Sequence, residues 1–214
     1  NGEVAELGVR VGGYGNFNYN WSSGAVWFAQ KERLFTGFEI KENDSVVTLQ
    51  EKGFRSNGLS LTRRVFKNAF GENWHEEKLE GKKLGELVLH PSRIYSGIVS
   101  DLFGGFAGEP IAEIHGVAHI TGGGIPGKLG RTLKATQLGA ELDGLFSPAP
   151  VMQFAQEKGN VSDAEAYRTW NMGNGMLIVT PEPEAVIAHA QKNGVAAQIA
   201  GKITSKKGIR IQSK

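Results

Sequence analysis

The sequence predicts an α/β or α+β fold: a mixed sheet covered by helices. Two observations predict it. Short β-branched runs such as Ser45 to Leu49 alternate with stretches whose apolar residues recur every three or four positions. The composition, 40% hydrophobic and 21% charged over 214 residues, is that of a globular protein able to bury a sizeable core.

The elements follow in order. Gly12, Gly13 and Gly15 with Asn16, Asn18 and Asn20 read as a loop, and Ala25 to Ala29 as a buried strand. Gly37 marks a turn. Ser45 to Leu49 is a strand by its β-branched content. Residues 51–58 (EKGFRSNG) form a loop that runs straight into a helix over Leu59 to Phe70. On that helix Leu61, Val65 and Ala69 recur every four residues and make one apolar face. Glu72 to Lys83 is charged surface, and Tyr95 to Phe103 is a helix. His115 to Ile120 is a strand that ends in Thr121-Gly122-Gly123-Gly124, with a helix starting near Gly127. Gln137 to Leu142 is a strand. Ser162 and Glu165 have the spacing of a capping box, so a helix starts there and runs to about Trp170. Met176 to Val179 is a strand. Thr180-Pro181 opens a helix carrying Val186, Ile187 and Ala190, which Gly194 stops. Ala196 to Ile203 and Ile209 to Gln212 close as strands.

Charge and composition exclude several functions. The formal net charge is +2 and no basic stripe appears, which speaks against nucleic acid or a membrane surface as partner. The absence of cysteine excludes disulfides, thiolate metal sites and a cysteine nucleophile, and fits a cytoplasmic protein. No apolar run approaches the ~20 residues that span a bilayer. The 30 glycines cluster in short polar stretches, where backbone must come close to something.

Three stretches carry possible chemistry. In the strand–EKGFRSNG–helix unit, the first-turn amides of the helix lack internal partners and make an anion site. Ser56 and Asn57 can donate to an anion there, Gly58 lets the backbone approach it, and Arg55 can fork onto phosphate oxygens. Spacing alone leaves another reading open, an ordinary helix cap with Asn57 as cap residue. Thr121 with Gly122, Gly123 and Gly124 makes either a backbone nest for a phosphate or a tight strand-to-helix turn. The segment Tyr167 to Met176 holds Asn171 and Gly173 in a loop that either faces a ligand or closes a helix through its own backbone. His115 and His119 are four apart, but no third ligand is nearby, so a structural or substrate-contacting role outweighs zinc.

Together the strings Gly2-Glu3-Val4-Ala5-Glu6, RSNGLSLTR (55–63), LHPSRIY (89–95), HGVAHITGGG (115–124) and YRTWNMGNGM (167–176) resemble the aminoimidazole ribonucleotide synthetase family, also called phosphoribosylformylglycinamidine cyclo-ligase. The resemblance covers nearly the whole chain, in the family's order. It implies an ATP-dependent ring closure of formylglycinamidine ribonucleotide, with Mg2+ accompanying the ATP and a homodimeric full-length enzyme. It implies that residues 1–35 end an N-terminal ATP-binding domain and that 36–214 are the C-terminal domain. Glu3 matches the acidic position near nucleotide and metal. Ser56, Asn57, Gly58, Thr121, Gly122, Gly123, Gly124, Asn171 and Gly173 match substrate or phosphate loops. Arg55 stands where the family commonly has histidine, and arginine cannot transfer protons at neutral pH. Asn1 replaces a glycine, Val4 a threonine, and Gly8 to Asn20 departs from the family's loop. The family's N-terminal half has no counterpart in the chain, so the expectation is that this polypeptide alone does not close the ring. Two other readings stay open: a different ATP-using relative of the superfamily, and a non-catalytic module that binds a phosphorylated ligand or dimerises.

Overall fold

The computed structural model describes residues 24, 26 and 28–212. Its centre is a six-stranded sheet of order β4-β6-β1-β7-β5-β8. The strands are β1 (Ser45–Gln50), β4 (Gly116–His119), β5 (Gly139–Leu142), β6 (Asn174–Thr180), β7 (Ala197–Thr204) and β8 (Gly208–Ile211). All neighbours pair antiparallel except β5 and β8, so the sheet is mixed as expected. A two-stranded hairpin, β2 (Lys78–Leu79) with β3 (Lys82–Lys83), lies apart.

Helices cover both faces. The larger layer holds α1 (Leu59–Phe70), α2 (Leu84–Val88), α4 (Gly124–Thr132), α5 (Pro150–Gly159) and α6 (Asp163–Thr169). Their apolar sides meet Val46, Ala118, Leu177 and Val179 from the sheet. The smaller layer, α3 (Ser96–Leu102) and α7 (Pro183–Lys192), packs on Val47, Leu49, Met176 and Ile178. The alternation of Val46 with Val47, and of Leu177 with Ile178, is the period-two pattern of a strand buried on both sides. That is why β1 and β6 read as unbroken apolar runs.

Large aromatics fill the main core. Trp170, Phe54 and Phe66 are fully buried, and Trp170 meets Phe54 edge-on at 5.5 Å. Burial of each side chain stabilises the fold by roughly 1.5–3 kcal/mol. Asn174, also fully buried, is satisfied. Its Oδ1 accepts from the Thr48 hydroxyl and the Phe146 amide, and its Nδ2 donates to the Met172 and Phe146 carbonyls.

Three expectations need correction. Val26, Phe28 and Ala29 belong to no strand, and Val26 is 95% exposed. An apolar run becomes a strand only where an edge is available to pair with, and among the described residues none pairs there. The fourth helix starts at Gly124 rather than near Gly127, because Gly123 already adopts the left-handed turn that lets the chain wind. The α7 helix starts at Pro183, with the Thr180 hydroxyl accepting from the Glu182 amide just before it. Helix α5 went unforeseen. Pro148 and Pro150 punctuate it like a loop, yet Pro150 sits at the helix start, where its missing N–H costs nothing. Helix α2 and the β2–β3 hairpin were likewise not expected; the other strands and helices lie within a few residues of their expected bounds, and Ser162 caps α6 by accepting from the Glu165 amide.

A buried histidine ties the chain's entry to the sheet. His115 Nδ1 lies 2.6 Å from Asp44 Oδ2, and its Nε2 lies 2.7 Å from Glu113 Oε1. Burial works against the imidazolium, but the Asp44 and Glu113 carboxylates outweigh it and hold His115 above its ordinary value. A pKa raised by folding stabilises below the unfolded value of about 6.5 and loses that contribution as pH rises through the folded value. Urea unfolding of the wild-type chain is therefore expected to show a loss of stability on the alkaline side of pH 6.5 that His115→Gln lacks. Parallel pH profiles for the two proteins would reject this assignment.

Candidate functional site

Strands β1 and β4 both pair antiparallel with β6, so they point the same way. Their C-terminal ends therefore emerge at one end of the sheet, beside the start of β6. Each runs through a short corner into a helix, β1 into α1 and β4 into α4. The loop before β6 arrives at the same place. This topology gathers the three stretches singled out in the sequence.

The corners touch. A Cβ on Gly122 would lie 3.6 Å from Asn57 Oδ1, and an Arg55 N–H donates to the Ile120 carbonyl at 3.4 Å. Both helices begin at a left-handed glycine, Gly58 at φ 72° and Gly123 at φ 94°, with no side-chain cap. Asn57 is thus not the cap residue. The first-turn amides of Leu59, Ser60 and Leu61 in α1 are left open, but α4 offers only that of Ile125, since Pro126 has none, and the positive ends of both helix dipoles lie behind them. Thr121 closes its corner by accepting from the Gly124 amide at 2.9 Å. Gly58 has no room for a side chain, since a Cβ would meet the Trp170 indole. Gly124 is equally tight, its Cβ position falling on the Tyr167 carbonyl. Close helix packing, α1 on Trp170 and α4 on α6, therefore demands these two glycines.

Asn171 and Gly173 brace the β1–α1 corner. Asn171 is buried; its Nδ2 donates to the Gly53 carbonyl and its Oδ1 accepts from the Gly173 amide. Gly173 in turn accepts from the Glu51 amide, and a Cβ there would meet the Ser147 carbonyl. Both residues spend their polar groups on the fold. Glu3 lies outside the described residues.

Residues 55 and 56 face opposite ways. A polar groove of about 910 Å3 runs over Ser56, Gly58 and the first turn of α1 to Ser162 and Thr169. Arg55 turns away from it, at φ 60°, into a more apolar cleft of about 660 Å3. That cleft is walled by Phe35, Ile94, Tyr95, Phe103, His119 and Met176. The cause is Glu51, a buried carboxylate that sequence reasoning missed. Its oxygens accept from the Lys52 and Arg93 amides, and Oε2 lies 3.6 Å from Arg55 Nε and 3.2 Å from the Tyr95 hydroxyl. Burial, then the Glu51 charge, pushes the Tyr95 hydroxyl well above its ordinary range. Glu51 had been legible only as one charged residue of a loop, though a carboxylate four before an arginine was there to be seen.

The comparisons with known proteins fit this architecture. The family model described as AIR synthase related protein, C-terminal domain, matches residues 41–214. The chain belongs to this family. Among curated relatives, the phosphoribosylformylglycinamidine cyclo-ligases of Rippkaea orientalis and Methanococcoides burtonii are 32% and 33% identical over 97% and 99% of this chain. The match spans 59% and 58% of those proteins, so the chain corresponds to about three fifths of their length. Two solved structures share the fold. Thiamine-monophosphate kinase from Stenotrophomonas maltophilia gives a TM-score of 0.53 at 13% identity, over 82% of this chain and 52% of that one. The E. coli hydrogenase maturation protein HypE gives 0.52 at 17% identity, over 84% and 49%.

The glycines should separate by experiment. Gly58→Ala is expected to destabilise by about 1–3 kcal/mol, because it strains a positive φ and drives a methyl into Trp170. Gly122→Ala meets nothing closer than 3.6 Å and should stay within about 0.5 kcal/mol of wild type in denaturant melts. Equal losses for both would contradict this packing.

Proposed function

We propose that the chain is the C-terminal portion of an ATP-dependent cyclo-ligase that closes formylglycinamidine ribonucleotide to aminoimidazole ribonucleotide, releasing ADP and phosphate. The observation that carries this reading is the collinear match, about one third identical over almost the whole chain, to relatives that bear that name. The site's geometry supports it. Two helix starts side by side, neither with a side-chain cap, suit a phosphate monoester, which the open amides of Leu59 to Leu61 and Ile125 would hold. Ser56 is the side chain placed to add a hydroxyl donor. Thr121, Gly122 and Gly123 keep the second corner slim enough for backbone contact, and Asn171 with Gly173 hold the first in place.

The chemistry asked of this portion is positioning and charge neutralisation. Ring closure needs the formyl oxygen activated by ATP and the amidine nitrogen brought to the same carbon, and no enzyme nucleophile takes part. Among the described residues no group of three His, Asp or Glu side chains converges to hold a metal ion. Mg2+ would arrive with the nucleotide and with carboxylates outside the described residues, Glu3 among the candidates. Residues 1–35 are assigned to the end of the preceding ATP-binding domain, and the homodimer to the full-length enzyme. No helix among the described residues is long and apolar enough to cross a membrane.

Two outcomes are expected. The 214-residue chain alone should release no ADP in response to formylglycinamidine ribonucleotide, and turnover should appear when the N-terminal half is restored. Calorimetry on the chain should show binding of the ribonucleotide weakened about tenfold by Ser56→Ala, the loss of roughly one hydrogen bond to a charged group. Turnover by the chain alone, or unchanged affinity in Ser56→Ala, would count against the reading.

A further inference from the structure

The apolar cleft behind Arg55 holds an imidazole that the phosphate corners do not use. His119, at the end of β4, lines the cleft edge-on to the Tyr95 ring, with centroids 6.4 Å apart. Its Nε2 is in contact with Arg55 Nη2. A guanidinium has only donors and keeps its proton, so the nitrogen it touches must carry a lone pair. That leaves Nδ1 as the protonated position of a neutral ring. Among the described residues Nδ1 has no hydrogen-bond partner, and the residue is not buried.

Arg55 cannot swing out to do anything else. Its side chain is 8% exposed, and Nη1 donates to the Gly175 and Ile120 carbonyls at 3.2 and 3.4 Å. Nε faces Glu51 at 3.6 Å and has no hydrogen-bond partner of its own, and the guanidinium sits 5.7 Å from the Tyr95 ring centre. These anchors come from the corners that follow β1 and β4, from β6 and from the segment before α3. The charged groups near the imidazole are Arg55 and Glu51 from the β1–α1 corner and Lys128 from α4, while Arg33 and Arg93 line the same cleft. Although His119 is partly exposed, the water its ring does lose on the cleft wall comes first, and with Arg55 and Lys128 it disfavours a second proton; Glu51 pulls the other way and does not prevail.

We propose that Arg55 is a positioning residue that fixes His119 as a neutral imidazole with its proton on Nδ1, presented to the cleft as a donor to a carbonyl-type oxygen of the ligand. An imidazolium would suit an anion; a neutral N–H suits an amide or formyl oxygen and adds no charge beside it. The phosphate and the acyl end of one ligand would then be read on opposite sides of the β1–α1 corner, by backbone amides on one side and by His119 on the other. The ligand half of this inference rests on the function proposed above; the state of His119 does not.

The test is 15N NMR of the imidazoles of the intact chain across pH, with His119→Gln to assign the signal among five histidines. The expected wild-type result is a protonated Nδ1, a lone-pair Nε2 and a midpoint below the ordinary value of about 6.5. Arg55→Met should raise that midpoint and let the Nε2-protonated form appear, while Arg55→Lys, which keeps the charge, should leave it lowered. A wild-type His119 protonated on Nε2, or titrating at or above the ordinary value, would overturn the proposal even if Arg55→Met failed to fold. For the ligand, inorganic phosphate should shift the amides of 58–61 and 122–125 but leave His119 still, whereas formylglycinamidine ribonucleotide should shift both. Ribonucleotide shifts at the corners without movement at His119 would refute the ligand half and leave the proposed function standing. Silence at the corners would refute the proposed function instead.

Discussion

Two strands that flank a third and run opposite to it must end on the same side. β1 and β4 stand in that relation to β6, and almost everything of interest in this chain follows from it. Residues 55–58 and 121–124 are more than sixty positions apart, yet each leaves the sheet beside the other. The helices that follow start there, so their dipoles and unpaired amides open at one end of the sheet, with Arg64 of α1 lining the same groove. The sheet is buried on both faces at β1 and β6, which fixes their register; a one-residue slip would exchange Val46 with Val47 across two different cores. The corner positions are thus set by packing that has nothing to do with ligands.

Glu51 is the local counterpart of that constraint. A carboxylate with 2% exposure must be compensated, and here two backbone amides, a tyrosine hydroxyl and a guanidinium do so. Removing one partner of such a pair generally costs about 3–5 kcal/mol, which is the scale on which Arg55 is held inward. The pair neutralises itself. The polar groove therefore draws on amides, Ser56 and Arg64 rather than on Arg55, and the cleft keeps the Arg55 cation without offering it freely to an anion.

Much of this was legible in the residues. The strands betrayed themselves by β-branching, α1 by its four-residue apolar recurrence, α6 by Ser162 and Glu165, and the corners by glycine. That Gly122 tolerates a methyl while Gly58 and Gly124 do not was invisible, because it depends on Trp170 and Tyr167, brought in from over forty residues away. Helix α5 was hidden for a related reason: its prolines read as loop, and only the core that receives Val151, Met152 and Ala155 makes it a helix. Asn171 looked like a ligand contact because buried asparagines and ligand-facing ones share the same neighbours in sequence. Its partner, the Gly53 carbonyl, settles where its amide goes.

The arginine at position 55, where the resemblance implies a histidine, gains meaning from the same geometry. Read as a string, arginine in a phosphate loop suggests a stronger grip on phosphate. In the fold its positive φ and its ion pair with Glu51 turn it through the loop to the opposite side, where its donors meet two carbonyls and an imidazole. An arginine there adds no reach toward the anion; it sets the protonation state of a neighbour. Residue type alone predicted the right kind of interaction with the wrong partner, because a side chain's direction is decided by the backbone angle and the nearest buried charge rather than by the company its letter keeps.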